Sequence, residues 1–195
     1  MRLVRAAIVL LCGTALFGQT TPQVPRPSPN FHVQYPNGGG MNISTLKGKV
    51  VALLFVHTTC PHCQRTSQVF SKLFTEYGPR GFQPVDVAFN DMSQLFVNDF
   101  VRDFNINYPV GFGSQVDVLN YLGIPVMERY VVPQIVWIDK KGVIRSQTNP
   151  VTGDDRLRTE AYWREEIETL LKEPASETTS KPAVHRQPTA KKSTP

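Results

Sequence analysis

Residues 50–70 read VVALLFVHTTCPHCQRTSQVF and contain the change of pattern on which the interpretation of the whole chain depends. Their first part, Val50–Val56, is an unbroken apolar run rich in β-branched residues, which is typical of a strand buried on both faces. From Pro61 onward the apolar residues recur at helical spacing instead. Cys60 and Cys63 lie at the junction between the two patterns. The stretch therefore predicts a central strand followed directly by a helix that begins with two cysteines.

Strand and helix patterns continue to alternate through the rest of the chain. Runs in which apolar residues recur at every second position predict strands, and runs in which they recur at helical spacing predict helices. Gly123 after a helical run and Gly142 between two strand runs are typical of a helix end and of a hairpin turn. This order predicts a single α/β domain with a central mixed sheet flanked by helices. The elements expected after the first helix are a strand at 82–89, a helix at 90–105 with Met92, Phe96, Phe100 and Phe104 on its apolar face, a short strand at 108–113, a short helix at 114–123, a hairpin at 133–147 and a last helix at 152–172.

The first 18 residues have the composition of a secretory signal peptide. Arg2 and Arg5 precede an apolar run from Ala6 to Phe17, and small or polar residues follow the run. The run is shorter than the roughly 20 residues that a membrane-spanning helix needs. We therefore expect an extracytoplasmic protein, periplasmic or secreted after cleavage, with anchoring by an uncleaved N-terminus as the alternative.

The segments on either side of the predicted domain are rich in residues that disfavour regular structure. Residues 19–40 are rich in proline and glycine and predict an extended spacer. Residues 173–195 are rich in Pro, Ser, Thr and Lys, which predicts a disordered basic tail. The folded domain is thus expected at residues 41–172. The formal net charge of +5 comes from the two ends rather than from one face, so it does not indicate nucleic-acid binding.

Two cysteines remain after removal of a signal peptide, because Cys12 lies within it. A structural zinc site needs about four ligands, and the chain offers only four scattered histidines beside the cysteine pair. A structural disulfide between Cys60 and Cys63 would close a very short loop and would restrain little chain entropy. Redox chemistry is therefore the favoured interpretation. It requires no metal and no bound cofactor, because the electrons reside in the cysteine pair.

The two cysteines are expected to have different roles. Cys60 comes at the end of the strand, and Pro61 then occupies the first helical position, where its fixed φ is suitable. The unpaired amides and the positive dipole end of a helix N-terminus stabilise a thiolate. Cys60 is therefore predicted to attack the substrate. Cys63, one turn further and facing the interior, is predicted to resolve the mixed disulfide.

Two histidines near the pair are candidate site residues. His62 can donate a hydrogen bond or supply positive charge to the Cys60 thiolate, which would stabilise the reduced form and make the disulfide more oxidising. Pro61 and His62 are therefore predicted to tune the redox potential. His57, at the end of the strand, is a candidate proton relay, with a simple hydrogen bond within its loop as the alternative.

These features together resemble the thioredoxin superfamily. The resemblance rests on Cys60–Cys63 after a buried strand, on LKGKVV at 46–51 before it, and on VVPQIVWIDKKGVI at 131–144. Within that superfamily, the lead-in and the extra strand and helix between the motif and VVPQ resemble the TlpA/ResA-like extracytoplasmic thiol-disulfide oxidoreductases. The likeness covers residues 42–172.

The resemblance implies a thioredoxin-like fold and an enzyme that exchanges disulfides with protein substrates. It implies that the bond between Val132 and Pro133 is cis, that Pro133 faces the cysteines, and that Val132 shapes the substrate groove. It also implies two kinds of partner, which are protein thiols or disulfides and a membrane or soluble redox partner that regenerates the pair. No nucleic acid is expected.

Two positions depart from this family and leave the direction of electron flow open. Thioredoxins bury an acid at the position of Leu54, and reductive ResA-like members carry a glutamate at the position of Thr66. The usual proton acceptor for the buried thiol is therefore expected to be missing. The Cys-Pro-His-Cys sequence and the valine before Pro133 instead resemble DsbA-type oxidases. We expect an oxidising direction, with a reductive role in cytochrome c maturation as the alternative.

Two related functions are alternatives to disulfide exchange. Peroxiredoxins place a proline and a hydroxyl residue where this chain has Leu53 and His57, which disfavours peroxidase activity. A copper-binding chaperone without enzymatic activity stays as a further alternative, since thiolates are good ligands for Cu(I). The cysteine spacing differs from that of the Sco-type copper proteins.

Overall fold

The computed structural model describes residues 22–151 and 155–175 of the 195-residue chain. A mixed sheet passes through this part of the protein, and four α-helices pack against it. The predicted α/β, thioredoxin-like fold with one domain is confirmed. The strands are β1 (Arg26–Pro27), β2 (His32–Gln34), β3 (Gly40–Asn42), β4 (Val50–Val56), β5 (Phe82–Ala88), β6 (Val110–Phe112), β7 (Gln134–Ile138) and β8 (Val143–Gln147), and the helices are α1 (Pro61–Tyr77), α2 (Ser93–Asp103), α3 (Gln115–Leu122) and α4 (Glu160–Lys172).

Strand β4 lies in the middle of the sheet, whose order is β1-β8-β7-β4-β5-β6-β2-β3. It runs parallel to β5 on one side and antiparallel to β7 on the other. All seven of its residues are buried, as the apolar run in the sequence predicted. Strand β5 lies between β4 and β6, and all seven of its residues are buried as well. The burial of β5 matters for the site because Asp86 lies in this strand.

The two faces of the sheet support separate apolar cores, and alternate residues of β4 point into each. Leu54 and Val56 belong to the core that includes α1, α2 and α4. Leu53 and Phe55 belong to the core that includes α3. Side chains of successive strand residues point to opposite faces, so the division follows from the strand geometry. The first of these cores lies directly under the cysteine-bearing helix.

The prediction of an extended spacer at 19–40, with a domain that begins at residue 41, is wrong from Arg26 onward. Strand β1 pairs with β8, and β2 joins the opposite edge of the sheet next to β6. Phe31 and Val33 are buried in the core on the α3 side. Proline is tolerated in an edge strand because its missing N–H is not needed for pairing. The proline content of this segment therefore concealed a structural role.

The apolar face predicted for α2 is also wrong at its N-terminal end. Met92 and Phe96 are 59% and 43% exposed, whereas Val97 and Phe100 are buried. Met92 lies outside the helix as its N-cap, with a left-handed backbone conformation of φ 54°. The helix therefore begins at Ser93, three residues after the predicted start, and Val97 faces the sheet beside Phe100.

The remaining elements agree with their predictions, apart from the start of the last helix. The hairpin turns at Gly142 with φ 81°, and α3 ends at Gly123 with φ 67°. Helix α4 begins at Glu160 rather than near residue 152, because Thr159 is its N-cap and accepts a hydrogen bond from the Tyr162 amide.

The predicted signal peptide and residues 176–195 of the predicted tail lie outside the described residues. Within the described ranges, no helix has the length and apolar content needed to cross a membrane.

Candidate active site

The cysteine pair lies where the sequence predicted it, at the junction of β4 and α1. Cys60 is the N-cap of α1, with extended backbone angles of φ −84° and ψ 119°, and Pro61 is the first helical residue. The Cys60 carbonyl accepts a hydrogen bond from the Gln64 amide at 3.0 Å, and the Cys60 amide donates to the His57 carbonyl at 3.1 Å. The backbone around Cys60 is therefore fixed by bonds on both sides.

The two sulfur atoms occupy different environments. Both cysteines are free thiols; Cys60 is half-buried, whereas Cys63 is 0% exposed. A hydrogen bond links the two side chains, and the His57 amide also donates to Cys63 Sγ at 3.4 Å. Burial is the main cause that raises the pKa of Cys63 well above its ordinary value, and the His57 amide opposes it. Cys63 is thus a neutral thiol at physiological pH, held beside an accessible sulfur.

The expected contact between Cys60 and the first helix amides is not formed. The Cys60 side chain accepts no capping hydrogen bond. The Cys60 side chain forms a hydrogen bond with the Cys63 side chain instead. Electrostatic support for a Cys60 thiolate therefore comes from the dipole of α1 and from the Cys63 thiol rather than from an amide bond.

His62 is exposed and does not form a hydrogen bond with Cys60 in the described part of the chain. Its Nδ1 atom lies 3.3 Å from a terminal nitrogen of Arg65. Because a guanidinium group can only donate, Nδ1 is the acceptor in this contact, and the ring proton is on Nε2. The predicted tuning role of Pro61 and His62 stays a prediction, and for His62 this geometry does not support it.

The side chain of His57 belongs to an aromatic cluster. Its ring centroid lies 4.6 Å from that of Phe89 and 6.4 Å from that of Tyr130. Burial lowers the pKa of His57, and nearby Asp91 only partly offsets this effect. Nε2 is buried and has no hydrogen-bond partner among the described residues. His57 therefore contacts Cys63 through its backbone amide, and the relay role of its ring stays a prediction.

The peptide bond between Val132 and Pro133 is cis, as the family resemblance implied. Pro133 directly precedes β7, whose first residue, Gln134, lies opposite Phe55 in the neighbouring β4. Pro133 is buried, and the half-buried Val132 packs against both apolar cores. The cis-proline loop and the C-terminal end of β4 are therefore adjacent at one end of the central strands.

Gln134 is a site residue that the sequence reasoning missed. It is fully buried, and its side-chain amide donates to the Val131 carbonyl at 2.6 Å. The Thr148 hydroxyl donates to Gln134 Oε1 at 2.8 Å and accepts from the Ile135 amide at 3.0 Å. These bonds fix the cis-proline loop to the β7–β8 pair. Nothing in the local pattern indicated this role, because Gln134 follows a proline and begins an ordinary apolar strand.

Asp86 is the second residue that was missed. It is 0% exposed in the middle of β5 and lies opposite Leu54 in the parallel pair with β4. The Ser67 hydroxyl donates to one carboxylate oxygen at 2.5 Å, and the Tyr108 hydroxyl donates to the other at 3.1 Å. Burial raises the pKa of Asp86 to about 7, although both donors act in the opposite direction. The signal available in the sequence was an acid in a strand that had to be buried on both faces.

Metal ligands are sparse in this region. In residues 22–151 and 155–175, no three side chains of His, Cys, Asp or Glu are close enough together to hold a metal ion. A Cu(I) ion at the motif would have the two cysteine sulfurs as its protein ligands.

The fold and the cysteine pair define a class of protein. The chain has a thioredoxin-like fold with a Cys-x-x-Cys pair at the start of the helix after a central strand, and its relatives place it among the thiol-disulfide oxidoreductases. The chain belongs to the AhpC/TSA family, whose model matches residues 24–147.

Individual relatives agree with this assignment. A protein named thiol-disulfide oxidoreductase ResA from Bacillus cereus is 23% identical over 145 residues, which are 70% of this chain and 80% of that protein. The ResA of Halalkalibacterium halodurans is 27% identical over 124 residues, 63% of this chain and 67% of that protein. Among solved structures, a putative thiol:disulfide interchange protein DsbE from Chlorobium tepidum superposes with a TM-score of 0.61 at 22% identity, over 75% of this chain and 96% of the other.

Proposed function

We propose that this protein acts outside the cytoplasm and reduces disulfides in protein substrates through Cys60 and Cys63. The observation that carries the direction is that the Cys60 side chain accepts no capping hydrogen bond from α1, and none from His62 in the described residues. A strongly oxidising pair needs a stabilised Cys60 thiolate, because that thiolate stabilises the reduced form. Without such donors, the reduced pair passes its electrons more readily to a substrate disulfide.

The reductive cycle has two exchange steps. The Cys60 thiolate attacks a substrate disulfide, forms a mixed disulfide with one substrate sulfur and releases the other as a thiolate. Cys63 then attacks Cys60 Sγ, which releases the second substrate sulfur and forms the Cys60–Cys63 disulfide. Two electrons pass from the protein dithiol to the substrate disulfide. A membrane or soluble dithiol partner must afterwards return the pair to its reduced form.

Several features support this proposal. The mixed disulfide on Cys60 would form beside the cis-proline loop, where Val132 and Pro133 are held by Gln134 and offer a rigid surface to a substrate strand. The proteins named ResA and DsbE are relatives in sequence or fold. The signal-peptide pattern of residues 1–18 supports an extracytoplasmic location, with a membrane anchor as the alternative.

Oxidation of substrates is the second candidate direction. It is favoured by the position of Cys60 at the N-terminus of the 17-residue helix α1, where the helix dipole stabilises a thiolate and with it the reduced form. The Cys-Pro-His-Cys sequence also favours oxidation, because it resembles that of DsbA-type oxidases. The two directions differ in the reduction potential of the pair, which can be measured.

The reduction potential is expected to lie on the reducing side. Equilibration of the protein with glutathione redox buffers at pH 7, followed by thiol trapping and mass spectrometry, should give a value below about −220 mV, nearer to thioredoxin at about −270 mV than to DsbA at about −120 mV. The physical reason is that no amide of α1 and no ring nitrogen of His62 donates to the Cys60 sulfur among the described residues. A potential above about −150 mV would overturn the reductive proposal and establish the oxidising one.

His62→Leu provides a separate test of the oxidising candidate. Because Nδ1 of His62 accepts from Arg65 and no bond links this ring to Cys60, we expect the potential to change by less than about 10 mV. A donor to the Cys60 thiolate worth about 1 kcal/mol would instead make the variant more reducing by tens of millivolts, since about 30 mV corresponds to 1.4 kcal/mol. Arg65→Leu is the matched control, because it removes only the partner of the ring. A large shift for His62→Leu alone would show that His62 tunes Cys60.

A further inference from the structure

The buried carboxylate of Asp86 lies in the same apolar core as Cys63. Leu54, its partner across the β4–β5 pair, and Ala88, two residues further along β5, both belong to the core that packs under α1. Ser67, which donates to Asp86, is four residues after Cys63 and thus one helical turn away on the same face of α1. Asp86 and Cys63 therefore face each other across the contact between α1 and the sheet.

This carboxylate has no cationic partner in the part of the chain that the structure describes. Asp86 forms no ion pair with any residue in the described ranges, and its two partners are neutral hydroxyl groups. The flanking strand residues Val85, Val87 and Ala88 are apolar and fully buried. An uncompensated carboxylate at such a place disfavours folding, and an apolar side chain would suit the position better. Groups of this kind cluster at functional sites.

The carboxylate also acts electrostatically on the thiol. The charge of Asp86 is one of the causes that raise the pKa of Cys63, after burial and the effects of the neighbouring Cys60. The interaction is reciprocal, because a negative charge that forms on Cys63 makes Asp86 a stronger base. A proton shared between these two buried groups therefore has a lower free energy than two buried negative charges.

We propose that Asp86 takes up the proton that Cys63 loses when Cys63 resolves a mixed disulfide. This inference rests on the proposed function and deepens it by naming the proton acceptor of the second exchange step. The acid sits on the strand next to β4, and so it replaces the acids that the related proteins would carry at the positions of Leu54 or Thr66.

The step balances in atoms and charge. Before it, Cys60 is joined to a substrate sulfur, Cys63 is a thiol and Asp86 is a carboxylate. The Cys63 sulfur forms a bond with Cys60 Sγ, the bond between Cys60 and the substrate sulfur breaks, and the Cys63 proton moves to the Asp86 carboxylate. The products are the Cys60–Cys63 disulfide, a substrate thiolate and a neutral Asp86. The substrate sulfur is reduced by the two electrons that the cysteine pair loses.

The pH dependence of this step identifies the acceptor. The titratable groups that face Asp86 are Cys63 on α1, with Cys60 beyond it, and Tyr108 in the segment before β6. Tyr108 stays neutral in this range, because burial raises its pKa well above its ordinary value. The active form requires an ionised Asp86. The rate of resolution should therefore rise with pH and level off above about pH 7, where Asp86 is ionised.

An aromatic disulfide reagent separates the two exchange steps. When reduced protein reacts with 5,5′-dithiobis(2-nitrobenzoate), the attack by Cys60 releases one coloured thiolate, and the attack by Cys63 releases the second. In stopped-flow experiments on the full chain, Asp86→Asn should leave the first phase within about twofold of wild type. It should slow the second phase by about 100-fold at pH 7, the scale of general base catalysis. The loss should shrink at alkaline pH, because hydroxide can then accept the proton.

Two further variants distinguish proton transfer from a structural effect. Tyr108→Phe keeps the carboxylate but removes a donor that lowers the pKa of Asp86, so the pH profile of the second phase should move to higher pH. Asp139→Asn removes another buried carboxylate, which pairs with Arg145 just beyond the far end of β7. It should leave both phases unchanged.

The outcomes separate the inference from the function on which it rests. If wild type shows no first phase, the proposed exchange chemistry is wrong. If the first phase is normal and Asp86→Asn resolves as fast as wild type at pH 7, the role of Asp86 is wrong and the function stands. A slow second phase with an unchanged pH profile would show a merely structural effect and would also overturn the inference. Tyr108→Phe keeps the proposal testable even if Asp86→Asn does not fold.

Discussion

Cys63→Ser is expected to accumulate protein substrates as mixed disulfides on Cys60. The variant keeps the accessible sulfur at the N-terminus of α1 but has no second thiol beside it. An intramolecular thiol in a favourable position acts at an effective concentration far above that of external thiols. Turnover of a protein disulfide should therefore fall by at least about 1000-fold. The trapped complexes should be visible on non-reducing gels of cell-envelope extracts and should disappear on reduction.

Cys60→Ser is the matched control for this experiment. It retains one cysteine of the same motif, but Cys63 is completely buried and its thiol is held in the neutral form. No substrate should be trapped on it. Equal trapping by the two variants would contradict the assignment of Cys60 as the attacking residue and Cys63 as the resolving residue.

Asp86→Asn is expected to stabilise the protein at neutral pH. The pKa of Asp86 is raised to about 7 in the folded state, whereas an unfolded aspartate titrates near 3.9. Between these values the folded chain holds a proton that the unfolded chain has lost, so the stability of wild type falls as the pH rises from about 4 to about 7. Three pKa units correspond to about 4 kcal/mol. The variant does not titrate and escapes this loss.

Urea unfolding of the reduced protein at pH 4 and at pH 8 measures the effect. The free energy of unfolding of the variant, relative to wild type, should be higher at pH 8 than at pH 4 by about 4 kcal/mol. Asp139→Asn should instead destabilise the protein, because Asp139 accepts bonds from two backbone amides and pairs with Arg145. An equal difference for Asp86→Asn at both pH values would show that Asp86 is not a buried acid with a raised pKa.

The effects expected of Asp86 on stability and on disulfide exchange have opposite signs. A buried carboxylate without a cation destabilises the folded state in the pH range where it is ionised. The same ionised carboxylate is the form that can accept a proton from Cys63. The structure thus holds a group whose unfavourable contribution to stability and proposed contribution to exchange have a common origin, which is its burial.

The local sequence was sufficient to place the cysteine pair. The apolar run of β4, the proline at the first position of α1 and the spacing of Cys60 and Cys63 involve only neighbouring residues. Helix capping and strand periodicity depend on such short-range relations. For the same reason the hairpin at Gly142 and the end of α3 at Gly123 were predictable. The resemblance to thioredoxin-like proteins added the cis bond before Pro133, which periodicity alone could not provide.

The edge of the sheet and the face of α2 were not predictable in this way. Residues 26–42 form three short strands that are ordered by pairing with β6 and β8, which lie far away in the sequence. Met92 and Phe96 fit a helical stripe with Phe100, but packing against the sheet buried Val97 with Phe100 and left Met92 and Phe96 exposed. In both cases a partner distant in sequence determined which residues became buried.

Within the site, Asp86 also combines a feature that the sequence shows with one that only the tertiary structure shows. The sequence by itself determined that a strand contains this acid and that a dithiol begins the preceding helix. Only the tertiary structure placed β5 between β4 and β6, with Ser67 from α1 and Tyr108 from the loop before β6 around one carboxylate. The protonation of a side chain depends on the water and charges that surround it, and those are fixed by strand order and helix packing. Short-range patterns therefore located the reacting sulfurs, whereas the environment proposed to control their protons arose from contacts between distant segments.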